Sequence, residues 1–171
     1  ILDMKIGYDI AFFDSFIKDS SKYFAHLPKE SECIRQPELL SEHSALVCEY
    51  LELLMNELHL NGVLAKLINA TISKYAESLD YETVLRILFF KAIAFHDLGK
   101  VNEEFQKSKM KNTFKFDKVP HEFGSNHAVI GMYIYLADFI ANLEKYKITE
   151  SALPFMCNVA LCFAYSIYKH H

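Results

Sequence analysis

An adjacent histidine and aspartate, His96 and Asp97, stand at the end of an apolar helical pattern. Apolar residues recur at spacings of three and four through Leu85, Leu88 and Ala92, and His96 continues the same face. This face carries the imidazole, with a carboxylate beside it, into the interior. Burial of two such groups is costly unless they are paired or bind a metal. The pair therefore indicates a metal site, and a simple buried hydrogen bond is the alternative interpretation.

Most of the eight histidines fall on apolar helical faces or at helix ends. His43 lies near the start of a helix predicted over 38–60. A final helix is predicted from about residue 150, and the last two histidines extend its packed ridges, whereas a purification tag, the alternative interpretation, has no reason to do so. His26, in a predicted loop, and His59, near a polar helix exit, are expected at the surface without a role. The candidate ligands are His43, His96, His127, His170 and His171.

Two histidines, His121 and His127, compete for one position in a helix predicted over 120–145. His127 is preferred because Gly131, four residues later, has no side chain and would let another helix approach closely. His121 follows Pro120 at the helix tip, where an exposed or capping residue is expected, and it is the second choice. The inward face of this helix is predicted to carry Val129, Ile130, Tyr133, Leu136, Ile140 and Leu143.

The remaining patterns are also helical, with no alternating strand of useful length. Residues 21–37 are expected to be irregular. Asn61-Gly62 is predicted to break the chain between two helices, and Gly99 to end the helix that carries His96 as its C′ residue. The chain is therefore predicted to be a single all-α domain spanning 1–171. Further helices are predicted over 8–20, about 63–78, from near Asp80 and over 101–109.

Composition and charge bear on the partners and the location expected for the chain. The formal net charge of −4 gives no overall attraction to nucleic acid or to an anionic membrane. The four cysteines show no CxxC spacing and are typical of reduced thiols in a cytosolic protein. The apolar stretch 152–168 is slightly short for a membrane span and contains Asn158, so we interpret it as a core helix. With no signal-peptide pattern near the first residues, we predict a cytoplasmic location and no membrane partner.

Several imidazoles around one carboxylate favour particular metals. Such a set suits Mn, Fe, Co, Ni or Zn better than Mg, which prefers oxygen ligands. Asp97 can bridge two metals about 3.5–4 Å apart, the arrangement used to hydrolyse phosphodiesters, with bound water as the nucleophile. Lys100 lies on the same face one turn later and is predicted to hold a phosphate oxygen or the leaving group. A solvated lysine at a helix C-terminus is the alternative.

Four ordered segments resemble the HD-domain superfamily. The order and spacing are most similar to its CRISPR-associated branch, the HD nuclease of type I systems, which is fused to or partnered with a helicase. The run 102–106 (Asn-Glu-Glu-Phe-Gln) is similar to that branch in particular, and the resemblance covers nearly the whole chain. The four segments are Ser41-Glu42-His43, Phe95-His96-Asp97-Leu98-Gly99-Lys100, Asn126-His127 with Gly131, and His170-His171.

The resemblance implies a helical bundle around one or two metal ions that cleaves single-stranded DNA in CRISPR interference, with a helicase and the RNA-guided surveillance complex as partners. Asp97 and Lys100 would be the catalytic residues, Lys100 being the family's lysine after the HD pair. The family usually follows its double histidine with glycine and a later acid, which are absent after His171. We therefore expect a domain truncated at its C-terminus, with a helicase following in the full protein. One metal would be held by His43, His96 and Asp97, and the other by Asp97, His127, His170 and His171.

One basic and aromatic cluster could contact DNA, attracting its backbone and stacking its bases. The alternative interpretation is a solvated, mobile loop. Only two arginines are present in the chain, which leaves little scope for bidentate phosphate recognition. Two other functions stay open: an HD phosphohydrolase acting on a nucleotide or cyclic nucleotide, and an inactive HD scaffold. The cluster consists of Lys107, Lys109, Lys111, Phe114, Lys115 and Phe116.

Overall fold

The computed structural model describes residues 7–28, 36–73, 80–115 and 124–170. Within these ranges the chain is mostly helical, which confirms the all-α prediction at that level. A 3-10 helix at Leu98–Val101 separates the fourth and fifth α-helices. The α-helices are α1 (Ile10–Phe16), α2 (Leu40–Glu57), α3 (Leu60–Ile72), α4 (Asp80–Ala94), α5 (Glu103–Ser108), α6 (His127–Ala141) and α7 (Leu153–Lys169).

Two short strands form a small antiparallel sheet, and the first of them lies within residues 21–37, which corrects the prediction that this segment is irregular. β1 (Phe24–His26) pairs with β2 (Glu38–Leu39) directly before α2. The side chain of Gln106 holds β1 in place, since its Oε1 accepts from the Phe24 amide at 3.0 Å and its Nε2 donates to the Phe24 carbonyl at 2.9 Å. The sheet brings His26 and Glu38 beside the first turn of α2.

The predicted boundary between α2 and α3 is wrong. Asn61-Gly62 lies inside α3, and the chain turns just before it, where His59 adopts a positive φ of 51°. The N-terminus of α2 is stabilised by Glu42, whose Oε2 accepts from the Leu39 amide at 3.3 Å. This bond fixes the first turn of α2, which carries His43.

The segment after α4 also differs from the prediction. Because α4 ends at Ala94, His96 and Asp97 lie in the turn that follows it rather than in its last turn. Gly99 lies in the 3-10 helix and not at a helix C′ position. Its role is close packing, since a methyl group there would overlap the backbone carbonyl of His127 and crowd the amide of Gly131. The 3-10 helix and α6 therefore meet backbone to backbone.

Gly131 is the residue of α6 that faces Gly99 in this contact, and the close approach predicted from its missing side chain is confirmed. A Cβ atom there would lie 3.4 Å from the Gly99 amide nitrogen and 3.3 Å from Cγ2 of Ile167 on α7. The predicted inward face of α6 is wrong at Tyr133, which is 53% exposed, and at Ile140, which is 64% exposed. Leu136 and Leu143 are partly buried against the core, as predicted. The buried residues of α6 are Ala128, Gly131, Tyr135 and Phe139.

One hydrophobic core joins α1, α2, α3, α4, α6 and α7, and it includes Phe95 of the turn at 95–97. The Tyr135 hydroxyl, buried in this core, donates to the Leu88 carbonyl at 3.1 Å and ties α6 to α4. Within the described part of the chain, no helix combines the length and the apolar character needed to cross a bilayer. The core residues closest to complete burial include Leu88, Phe95, Leu98, Met156 and Ala160.

Candidate metal centre

Asp97 is the centre of a cluster of imidazoles, and it is only 3% exposed. Its Oδ2 atom faces residues from three segments. Nε2 of His43, in the first turn of α2, lies 3.3 Å away, and Nε2 of His96 lies 3.5 Å away. The Lys100 ammonium donates to the same oxygen at 2.8 Å.

The second carboxylate oxygen, Oδ1 of Asp97, faces a different pair of imidazoles. Nε2 of His170, which follows the end of α7, lies 3.3 Å away, and Nε2 of His127 lies 3.9 Å away. His127 is the first residue of α6, and Asn126 caps that helix by accepting from the Val129 amide. The two oxygens of one carboxylate are therefore shared between two groups of histidines.

Backbone hydrogen bonds fix the orientation of two of these rings. Nδ1 of His96 donates to the Ile93 carbonyl and Nδ1 of His170 donates to the Ile167 carbonyl, each at 2.8 Å. A carbonyl oxygen only accepts, so Nδ1 carries a proton in both rings, and in a neutral ring the lone pair of Nε2 faces Asp97. A lone pair and a carboxylate repel each other unless a proton or a cation lies between them. This donor set fits a metal ion.

The charges of the centre favour ligand forms that bind metals. Burial lowers the pKa of His96, although the nearby Asp97 charge opposes that effect, so the imidazole is neutral near pH 7. Burial raises the pKa of Asp97, but hydrogen bonds from His43 and Lys100 outweigh it. The pKa of this carboxyl group is held well below its usual range. Neutral imidazole and ionised carboxylate are the forms that ligate metals.

These side chains make two groups that could hold a metal ion, and both contain Asp97. In each group the ligand atoms lie within 4.8 Å of one another. A third group of the same kind joins His43 to two residues of the small sheet. The first group is His43, His96 and Asp97, the second is Asp97, His127 and His170, and the third is His26, Glu38 and His43.

Lys100 is buried, being 4% exposed, so the alternative of a solvated lysine is wrong. Besides its bond to Asp97, its ammonium donates to the Ala25 carbonyl at 3.1 Å and lies 3.5 Å from Nε2 of His26. These contacts make Lys100 a residue that positions the Asp97 carboxylate. Direct contact between Lys100 and a phosphate stays a prediction.

The predicted DNA-contacting cluster is exposed where it is described. Phe114 is 46% exposed, and Lys107 forms an ion pair with Glu103. The loop after α5 is anchored rather than loose, because the buried Asn112 side chain donates to the Lys22 carbonyl at 2.7 Å. Phe116 and the second-choice ligand His121 lie outside the described residues. The exposed lysines of the loop are Lys109, Lys111 and Lys115.

Two residues beside the centre, His26 and Glu38, were not predicted to belong to it. Nδ1 of His26 donates to Oε2 of Glu38 at 2.8 Å, and the His26 and His43 rings lie 4.6 Å apart. Burial raises the pKa of Glu38, but the hydrogen bonds and charges of His26 and His43 lower it by more. The pKa of Glu38 is therefore below its ordinary value. These two residues meet because strands of three and two residues pair, and strands this short leave no periodic pattern in the sequence.

Five of the six predicted metal ligands meet at one centre, and the sixth, His171, lies outside the described residues. The sequence matches no family model, and comparisons with curated proteins and with solved structures give no significant match. Function is therefore inferred from the side chains of the centre and from the resemblance of the ordered segments. The five ligands are His43, His96, Asp97, His127 and His170.

Proposed function

We propose that this chain is a metal-dependent HD nuclease that hydrolyses single-stranded DNA in CRISPR interference. One observation carries the proposal: the Asp97 carboxylate lies between two groups of imidazoles, with one oxygen turned to each. A buried carboxylate shared in this way can bridge two metal ions, the arrangement suited to phosphodiester hydrolysis. We infer Mn, Ni, Co, Fe or Zn as the metal, because imidazole ligands predominate over carboxylate oxygens.

The residues of the centre have distinct roles in this proposal. Bound divalent ions would supply Lewis acidity toward the phosphodiester and would activate water. Asp97 would hold both ions, and Lys100 would keep that carboxylate fixed through its 2.8 Å hydrogen bond. The backbone bonds of His96 and His170 keep their Nε2 atoms turned to the centre.

The exposed loop after α5 supports a single-stranded substrate. Phe114 and the neighbouring lysines offer a ring for base stacking and charges for the phosphate backbone. Helix α5, which precedes this loop, also contacts the centre, since its Phe105 ring lies 4.4 Å from the His127 ring. With a net charge of −4 the chain has little general attraction for DNA, so we propose that a helicase delivers the strand. The resemblance supports the surveillance complex as the further partner.

A cleavage assay tests this proposal. We expect labelled single-stranded DNA to be hydrolysed with Mn²⁺, Ni²⁺ or Co²⁺, much less with Mg²⁺, and not after chelation. His96→Asn should lower the rate by more than about 100-fold, because it removes a metal ligand. The matched control is His59→Asn, which replaces an exposed histidine outside the centre and retains a residue that tolerates positive φ.

Other substrates separate this function from its alternatives. The same preparations are assayed with double-stranded DNA and with a panel of nucleotides and cyclic nucleotides. Turnover of a nucleotide without cleavage of DNA would contradict the nuclease and identify a phosphohydrolase. Metal binding without turnover of any substrate would contradict both enzymes and indicate a scaffold.

A further inference from the structure

Five polar side chains form a closed ring of contacts, and Oδ2 of Asp97 is one member of that ring. Lys100 donates to that oxygen at 2.8 Å and lies 3.5 Å from Nε2 of His26. Nδ1 of His26 lies 2.8 Å from Oε2 of Glu38, and Oε1 of Glu38 lies 3.4 Å from Nδ1 of His43. Nε2 of His43 returns to Asp97 at 3.3 Å. Two elements of the ring, His26 and Glu38, come from the small sheet.

The chemistry of each group fixes the direction of the contacts that His26 and Glu38 make in this ring. An ammonium only donates, so Nε2 of His26 accepts from Lys100 and its Nδ1 carries the proton given to Glu38. An ionised carboxylate only accepts, so Nδ1 of His43 donates to Glu38. With the Nδ1 proton held by Glu38, Nε2 is the nitrogen that a neutral His43 ring would offer to an ion at the centre. The orientation of His43 therefore depends on Glu38.

We propose that Glu38 is a positioning residue for the metal centre: it holds the Nδ1 proton of His43 so that Nε2 binds the ion. The inference rests on the proposed metal-dependent function and adds to it a carboxylate that belongs to neither of the two ligand groups around Asp97. Partners of this kind orient a ligating imidazole and raise its basicity. The His26 ring fixes Glu38 in turn, since it is held between Glu38 and Lys100.

The competing interpretation is a separate ion held by His26, Glu38 and His43. A neutral imidazole has one proton and one free nitrogen, so His43 cannot ligate through Nδ1 while its Nε2 binds a second ion. His26 is also committed, because its Nε2 faces the Lys100 ammonium. The side chains of His26 and Glu38 are 52% and 34% exposed, which suits an outer hydrogen-bonded pair. The ring geometry therefore favours positioning over a third ion.

Calorimetric titration with Mn²⁺ tests the role of Glu38. We expect Glu38→Ala and Glu38→Gln to weaken binding at the position that contains His43 by about 10- to 100-fold. Binding at the position of His127 and His170 should stay unchanged. The matched control, Glu49→Gln, removes the same charge from an exposed residue of α2 and should bind as the wild type does.

A double-variant cycle separates positioning from a general structural effect. If Glu38 acts through His43, Glu38→Ala should have no further effect in a His43→Asn background. An equal loss in both backgrounds, or equal weakening at both positions, would overturn the inference. A third Mn²⁺ equivalent that disappears with Glu38→Ala would overturn it as well, in favour of a separate ion.

Nitrogen NMR of the metal-free protein gives a measurement that needs neither metal nor activity. The His43 ring should show a slowly exchanging Nδ1 proton that is lost in Glu38→Ala and kept in Glu49→Gln. An unprotected Nδ1 in the wild type would contradict the inference whatever the enzyme does. A protected Nδ1 in a protein that binds Mn²⁺ but cleaves no DNA would instead support the role of Glu38 and contradict the proposed nuclease.

Discussion

Replacement of Asp97 by asparagine is expected to abolish metal binding at both positions and to lower DNA hydrolysis by at least about 1,000-fold, since several kcal/mol of transition-state stabilisation are lost with the ions. Asp97 is shared by both groups of ligands, so no single histidine substitution should have as large an effect. Calorimetry with Mn²⁺ and the cleavage assay measure the two losses. Wild-type metal affinity in Asp97→Asn would contradict the assignment.

The same substitution should also destabilise the metal-free fold. Lys100 is 4% exposed, and its ammonium would lose its carboxylate partner, a change that costs about 3–5 kcal/mol when a buried pair is broken. The matched control is the double variant Asp97→Asn with Lys100→Met, which removes both charges. We expect it to recover most of the unfolding free energy without recovering metal binding, so that loss of ligation is distinguished from loss of fold.

Among glycine-to-alanine substitutions at the described glycines, Gly99→Ala is expected to lower the free energy of unfolding the most. The new methyl group would overlap the His127 carbonyl and crowd the Gly131 amide, which are backbone atoms that cannot move independently. The 3-10 helix and α6 would have to separate, and His127 would move away from Asp97. We expect a loss of more than about 4 kcal/mol in urea unfolding, beyond the usual range for a point substitution.

Gly62→Ala is the matched control for that experiment. Gly62 lies inside α3 with no neighbouring atom within 4 Å of the added methyl group. Because alanine is favoured over glycine in helices, this variant should be more stable by about 0.5–1 kcal/mol. Equal stability of Gly99→Ala and the wild type would show that the two backbones do not pack as described.

Much of the centre could be predicted from sequence because its ligands continue helical patterns. His43 and His96 each follow an apolar face at helical spacing, and such a face must point into the interior. The face of α6 was less predictable, since its residues are apolar nearly all round. Packing there is decided by the small residues Ala128 and Gly131, which allow the closest approach, so that Tyr133 and Ile140 are left outside.

The parts that could not be predicted depend on contacts between distant segments. His26 and Glu38 meet only because two very short strands pair, and strands of that length show no periodicity. Gly99 reads from sequence as a helix end, but its role is set by α6, which begins nearly thirty residues later. The burial of Lys100 depends on β1, which places the Ala25 carbonyl against its ammonium.

Crystals grown with Mn²⁺ and measured at a wavelength where manganese scatters anomalously give the most direct test of the metal centre. We expect two anomalous peaks on opposite sides of the Asp97 carboxylate. One should lie beside Nε2 of His43 and His96, and the other beside Nε2 of His127 and His170. Crystals that show no anomalous peak at Asp97, or peaks only at surface carboxylates, would contradict the metal centre and the nuclease proposed from it.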